Sequence, residues 1–223
     1  MQKSFLRTVR LVAATAVLVF APTALLTTPV HAQGAAIGNL LTGASDNALD
    51  KLAQPGAYFA DKAVRILLPG PIQKASKLLK FTGKGDLAKD LTKSMNEVAS
   101  LAAKEAKPIF REAISGLNLK DGVGAATKKS GVTEYLRESS EGSLSQKIRP
   151  LVSKAMGDTG TFDQLDKLSS VPVIGKLGFS SDNMTDHVTK KAMDGIFKYM
   201  AAEENALRKN PLKSLGGLLG ISK

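Results

Sequence analysis

The stretch "DLAKDLTKSMNEVASLAAKEA", Asp86 to Ala106, decides the fold class. At about 100° per residue, Leu87, Leu91, Met95, Val98, Leu101 and Ala102 gather on one side of a helix. Lys89, Lys93, Glu97, Ser100 and Lys104 gather on the other. An apolar stripe of that width belongs to a helix buried along one face. Glu105 breaks the pattern, because it projects from the apolar side in line with Leu87 and Val98, although close to the helix end.

Outward from this segment the helical period continues, with breakers between segments and no sustained strand-type alternation. The spacing predicts helices over 45–54, 57–67, 71–81, 86–106, 108–117, 119–128, 132–139, 142–156, 161–169, 183–208 and 211–219. Pro71 and Pro108 stand where a first helical turn tolerates a missing N–H, and Asp86 suits an N-cap. The expected architecture is all-α, a single multi-helix domain of about nine to eleven helices over residues 45–211. The chain has no cysteine, so there are no disulfides and packing must supply the stability. Residues 33–44, "QGAAIGNLLTGA", read as a flexible lead-in, and residues 212–223 as an amphipathic basic tail.

The N-terminus reads as an export signal. Lys3, Arg7 and Arg10 precede the apolar run Leu11 to Ala21, and Val30-His31-Ala32 gives the small-x-small pattern of a cleavage site. Residues 1–32 are therefore expected to be a cleaved signal peptide, with a Gram-negative periplasm as the destination. Pro22 interrupts a run already shorter than the roughly 20 apolar residues of a membrane span, and no later stretch is long enough, so no integral membrane protein is expected. Loss of three of the 31 basic residues would lower the formal charge from +11 to +8, against 20 acidic residues. Thiol catalysis and thiolate zinc sites are excluded, and with His31 in the leader a His-rich metal site is too. No cofactor is expected.

The remaining histidine lies in "HVTKKAMDGIF", His187 to Phe197. His187 and Asp194 are two helical turns apart, roughly 10 Å, too far for a base and its orienting carboxylate. Both fall on a lysine-rich side expected to face solvent, while Gly195 falls on the apolar arc and suits close packing. In the same helix Glu203 lies near the middle of the apolar arc and Glu204 does not. A carboxylate facing a core must be paired, hydrogen-bonded or protonated. Glu105 and Glu203, with Arg111 as a possible ion partner, are thus the candidate polar or ligand residues. No catalytic residue is assigned.

Five phrases carry a family resemblance: "ILLPGPIQKASKLLK" (66–80), "SMNEVASLAAKEAKPIF" (94–110), "YLRESS" (135–140), "HVTKKAMDGIF" (187–197) and "AAEENALRKNP" (201–211). In this order and spacing the chain resembles the bacterial exported domain-of-unknown-function family 4197, over roughly residues 45–211. The resemblance implies a helical cell-envelope protein and no particular activity.

Lys74, Lys77, Lys80 and Lys84 form a candidate basic surface beside Leu78, Leu79 and Phe81. An exported basic protein meets anionic lipid, lipopolysaccharide, acidic cell-wall polymer or another envelope protein rather than nucleic acid. The expected function is non-enzymatic binding of such a component. The alternative is a small-molecule carrier with a polar pocket around Glu105 and Glu203. A cell-wall glycoside hydrolase is more remote, since the chain has no Trp and three Tyr to hold sugar rings.

Overall fold

Ten helices and no strand make up the computed structural model among its described residues, 30–79, 85–119 and 121–210. They are α1 (Val30–Leu52), α2 (Ala57–Ala60), α3 (Gly70–Leu79), α4 (Gly85–Glu105), α5 (Lys107–Ser115), α6 (Gly122–Ala125), α7 (Gly131–Asp158), α8 (Thr161–Ser169), α9 (Pro172–Gly175) and α10 (Ser181–Lys209). One continuous apolar cluster runs through them, from Ile37 to Met200. The protein is all-α, as its periodicity predicts.

The segment that decides the fold class sits at the centre. α4 buries Leu91, Met95, Val98 and Ala102 and packs against α7, α8, α2, α1, α10 and α3. Asp86 stands in its first turn, where negative charge meets the positive end of the helix dipole. The longest contacts elsewhere are those of α1 on α10 and of α10 on α7. α10 starts where Ser180 Oγ accepts from Asn183 N–H at 3.1 Å, a capping box that fixes its entry. Pro71 and Pro108 lie in the first turns of α3 and α5.

The expected helix 119–128 holds, among its described residues, only the single turn of α6, Asp86 lies inside α4 rather than at its N-cap, and three further local expectations need correction. Residues 33–44 are helical, forming the first half of α1, and Ile37, Leu41 and Ala44 are buried. Their glycines are contact points rather than breaks: a Cβ on Gly38 would meet Leu119 at 3.2 Å, and one on Gly43 would meet Leu207 at 3.4 Å. The run 57–67 holds only the single turn of α2, after which the chain extends to Pro69. Asn96 of α4 causes this, for its Oδ1 accepts Ile66 N–H at 2.8 Å and its Nδ2 donates to Ile66 O at 2.7 Å. A buried side-chain amide thus satisfies a strand-like backbone that has no sheet. Finally, 132–139 and 142–156 are one helix, α7, which runs through Gly142 and the exposed Pro150. The expected helix at 211–219 lies outside the described residues, as does the basic tail from 212.

Candidate functional site

The carboxylates chosen from the helical wheels do not form one site. Glu105 is exposed at the end of α4. It lines a cleft of about 350 Å³ with Leu101, Lys104, Leu151, Lys154 and Asp158. There Lys154 is held above its ordinary range chiefly by its hydrogen bond to Asp158 and then by that charge, with Glu105 adding least. Glu203 pairs instead with Lys51 of α1. Arg111 serves neither, since its guanidinium donates to both carboxylate oxygens of Asp46, at 3.2 and 2.6 Å. No hydrogen bond or ion pair joins Glu105 to Glu203 among the described residues.

The buried carboxylate is Glu204, at 0% exposure. Its Oε2 accepts Thr133 N–H at 2.8 Å and Thr133 Oγ1–H at 2.6 Å, while Oε1 takes Val132 N–H at 3.3 Å. Those N–H groups are the open donors of the first turn of α7, where the helix dipole favours an anion. Arg208, one turn on, donates to Oε1 from Nε at 3.0 Å and from Nη2 at 2.7 Å, and its Nη1 reaches Ala126 O. Ser130, before α7, sits at φ 55 and accepts from Asn205 Nδ2 at 2.6 Å. The wheel missed this because the inward face of α10 is broader than one stripe. Met193, Phe197 and Met200 are all buried, and Glu204 continues their line.

The rest of "HVTKKAMDGIF" is also structural. His187 is half-buried rather than wet, and its Nε2–H donates to Leu67 O at 2.8 Å. Burial lowers its pKa below the ordinary value, the Leu67 carbonyl opposes this, and Lys191 adds to the lowering. Asp194 reaches across to α7, where Arg137 Nη2 donates to it at 2.8 Å, with Lys191 a weaker partner at 3.4 Å. Arg137 lies over the Phe197 ring, 5.4 Å from its centroid. Gly195 is buried against Tyr58, and a Cβ there would come within 2.7 Å of Tyr58 Cε1. The Tyr58 hydroxyl donates to Ala192 O at 2.8 Å, and burial holds this phenol far above its ordinary pKa, with the Tyr199 charge adding to the rise.

The basic surface stands apart from these spent groups. Lys74 and Lys77 are exposed on α3, while Lys80 and Lys84 lie outside the described residues. Between Asp61 and Asp86 the sequence holds six basic and no acidic residues, and between Asp166 and Asp182 two basic and none acidic. Together these two windows hold eight of the 28 basic residues from 33 onward and none of the 20 acidic ones. The fold makes them neighbours, because α3 packs on α9. Every ion pair among the described residues lies outside them.

Apolar exposure coincides with this charge. Large apolar side chains exposed among the described residues are Leu67 (49%), Leu101, Val173 (41%) and Leu177 (38%). Leu67 leads into α3, Val173 lies on α9, and Leu177 follows it beside Lys176. Sequence reasoning found Lys74 and Lys77 and missed Leu67, Val173, Lys176 and Leu177. The acid-free windows were legible as text, but their adjacency was not.

No group of His, Asp or Glu able to hold a metal ion occurs among the described residues, and no described helix is long and apolar enough to cross a membrane. A sequence model described as "Protein of unknown function (DUF4197)" matches residues 29–220. The match takes in the stretch before residue 45 and most of the tail after Pro211, both beyond the span of the resemblance read from the sequence. No curated protein and no solved structure matches.

Proposed function

The chain belongs to the DUF4197 family of proteins of unknown function, and from that premise we propose that it is an exported, non-enzymatic domain that binds an anionic amphiphile of the cell envelope. The binding face is formed by α3, α9 and the segments around them. One observation carries the reading: two adjacent acid-free segments, holding eight basic residues between them, also expose Leu67, Val173 and Leu177. Lysines around exposed aliphatic side chains suit a surface with negative headgroups and an apolar layer beneath. The export signal would bring this face to the periplasm, with the leader removed after Ala32. Gly34, two residues past that cut, is already buried, so the mature chain keeps the packed part of α1.

Vesicle flotation tests the reading. The protein should float with vesicles containing anionic phospholipid at low salt, and stay at the bottom with neutral vesicles or at high salt. The double variant Lys74→Glu/Lys176→Glu should abolish flotation while leaving the circular dichroism melt unchanged. Equal recovery with neutral and anionic vesicles, or none with either, would overturn it.

A further inference from the structure

Four surface clefts differ in the charges that line them. The cleft beside Glu105 carries Glu105 and Asp158 against Lys104 and Lys154. A second, between α4 and α8, carries Asp90 and Glu97 against Lys93 and Lys167. A third, near the start of α1, is apolar with Arg208 alone, whose guanidinium is engaged by Glu204 and Ala126 O. The fourth, of about 260 Å³, is lined by Leu67, Leu68, Gln73, Ser76, Lys77, Gly85, Ala88, Lys89 and Thr92. It alone of the four has two cations free of any ion pair and no acid.

We infer that this fourth cleft holds the phosphate headgroup of a single phospholipid molecule, an inference that rests on the reading of the α3–α9 face above. Its hydroxyl protons are already committed, for Ser76 Oγ donates to Gln73 O at 2.9 Å and Thr92 Oγ1 to Ala88 O at 2.7 Å. The donors left on the lining are the ammonium groups of Lys77 and Lys89 and the side-chain amide of Gln73. Two ammonium groups with no acid on the same lining call for an anionic acceptor. The donors come from two helices, α3 and α4. A tetrahedral phosphate presents more oxygens, in more directions, than a planar carboxylate and suits donors that approach from two helices. Leu67, half-exposed, with Leu68 and Ala88 behind it, gives the first acyl carbons an apolar wall. The remaining acyl length stays in the bilayer beside Val173 and Leu177.

The probe is dihexanoylphosphatidylglycerol below its micelle-forming concentration, followed by amide NMR shifts and calorimetry. It should bind one per protein, shifting the amides of Gln73, Gly85 and Thr92. Lys77→Gln/Lys89→Gln should weaken binding about tenfold or more, while Lys129→Gln/Lys209→Gln, exposed and outside the α3–α9 face, should leave it unchanged. Hexanoate at the same concentration should not compete. All four lysines are exposed, and melting curves show whether the variants fold. Absence of saturable binding, equal binding by the Lys77→Gln/Lys89→Gln variant, or competition by hexanoate would each overturn the inference. Flotation of the unaltered protein is read separately, so the cleft can fail while the face reading stands. Monomer binding without flotation would instead remove the face reading and keep the cleft.

Discussion

The C-terminal end of α10 and the α3–α9 face treat charge in opposite ways. At the first, Glu204 is buried, and the first turn of α7, the Thr133 hydroxyl and Arg208 satisfy it. At the second, Lys74, Lys77 and Lys176 are exposed and enter no ion pair among the described residues, beside exposed aliphatic side chains. Charge engaged in this way holds the fold together and offers nothing to a ligand. Charge left unmatched contributes little to stability and remains available for binding. The carboxylate buried in the core is therefore structural, and the exposed lysines of α3 carry the proposed function.

This contrast can be broken most severely at Glu204. Glu204→Ala should cost about 3 kcal/mol or more, because it strands Arg208 and two helix N–H groups. Urea unfolding measures it, and a loss below about 1 kcal/mol would mean that the α7 cap is not needed. Next comes Gly195→Val, where the added carbons collide with Tyr58; about 2 kcal/mol is expected from such overpacking. A thermal midpoint unchanged by this substitution would show that Tyr58 yields freely.

Asn96→Ala should cost about 2 kcal/mol by leaving the Ile66 N–H and C=O unpaired. It should also speed hydrogen exchange over 61–69, the segment that carries Leu67, and so connect the two regions. Lys74→Glu/Lys176→Glu should change stability by under about 0.5 kcal/mol while removing flotation. A large stability loss there would end the contrast.

The smallest effect expected is that of pH through His187. The fold lowers its pKa, by burial first, so below the ordinary value of 6.5 the unfolded chain takes up the proton more readily. The contribution of His187 is complete above 6.5 and declines as the pH falls from there toward the lowered folded value. His187→Gln should flatten that decline in a series of urea midpoints. A steeper decline would mean the folded pKa lies above the unfolded one.

Particular residues show how far the text could be read. Asp86 to Ala106 predicts Gly85–Glu105 almost to the residue, but the α4 wheel put Leu101, which is exposed, on the buried side and Ser100, which is buried, on the wet one, because several helices enclose α4. The same method chose Glu203 over Glu204 in α10, because α1 and α7 enclose that helix from two directions and its buried arc is wider. The Gly-rich start of α1 reads as loose until Leu119 and Leu207 are found lying on its glycines. In 57–67 the local pattern is helical, and a distant amide, Asn96, overrides it.

The sequence by itself determined the helical class, the absence of cross-links, the basic surplus and the two acid-free windows. These depend on periodicity and composition, which are local. Only the tertiary structure decided which carboxylate is buried, that the two windows lie side by side, and that Leu67, Val173 and Leu177 remain exposed among lysines. Those outcomes depend on which surfaces of different helices meet, and a one-dimensional pattern does not contain that pairing.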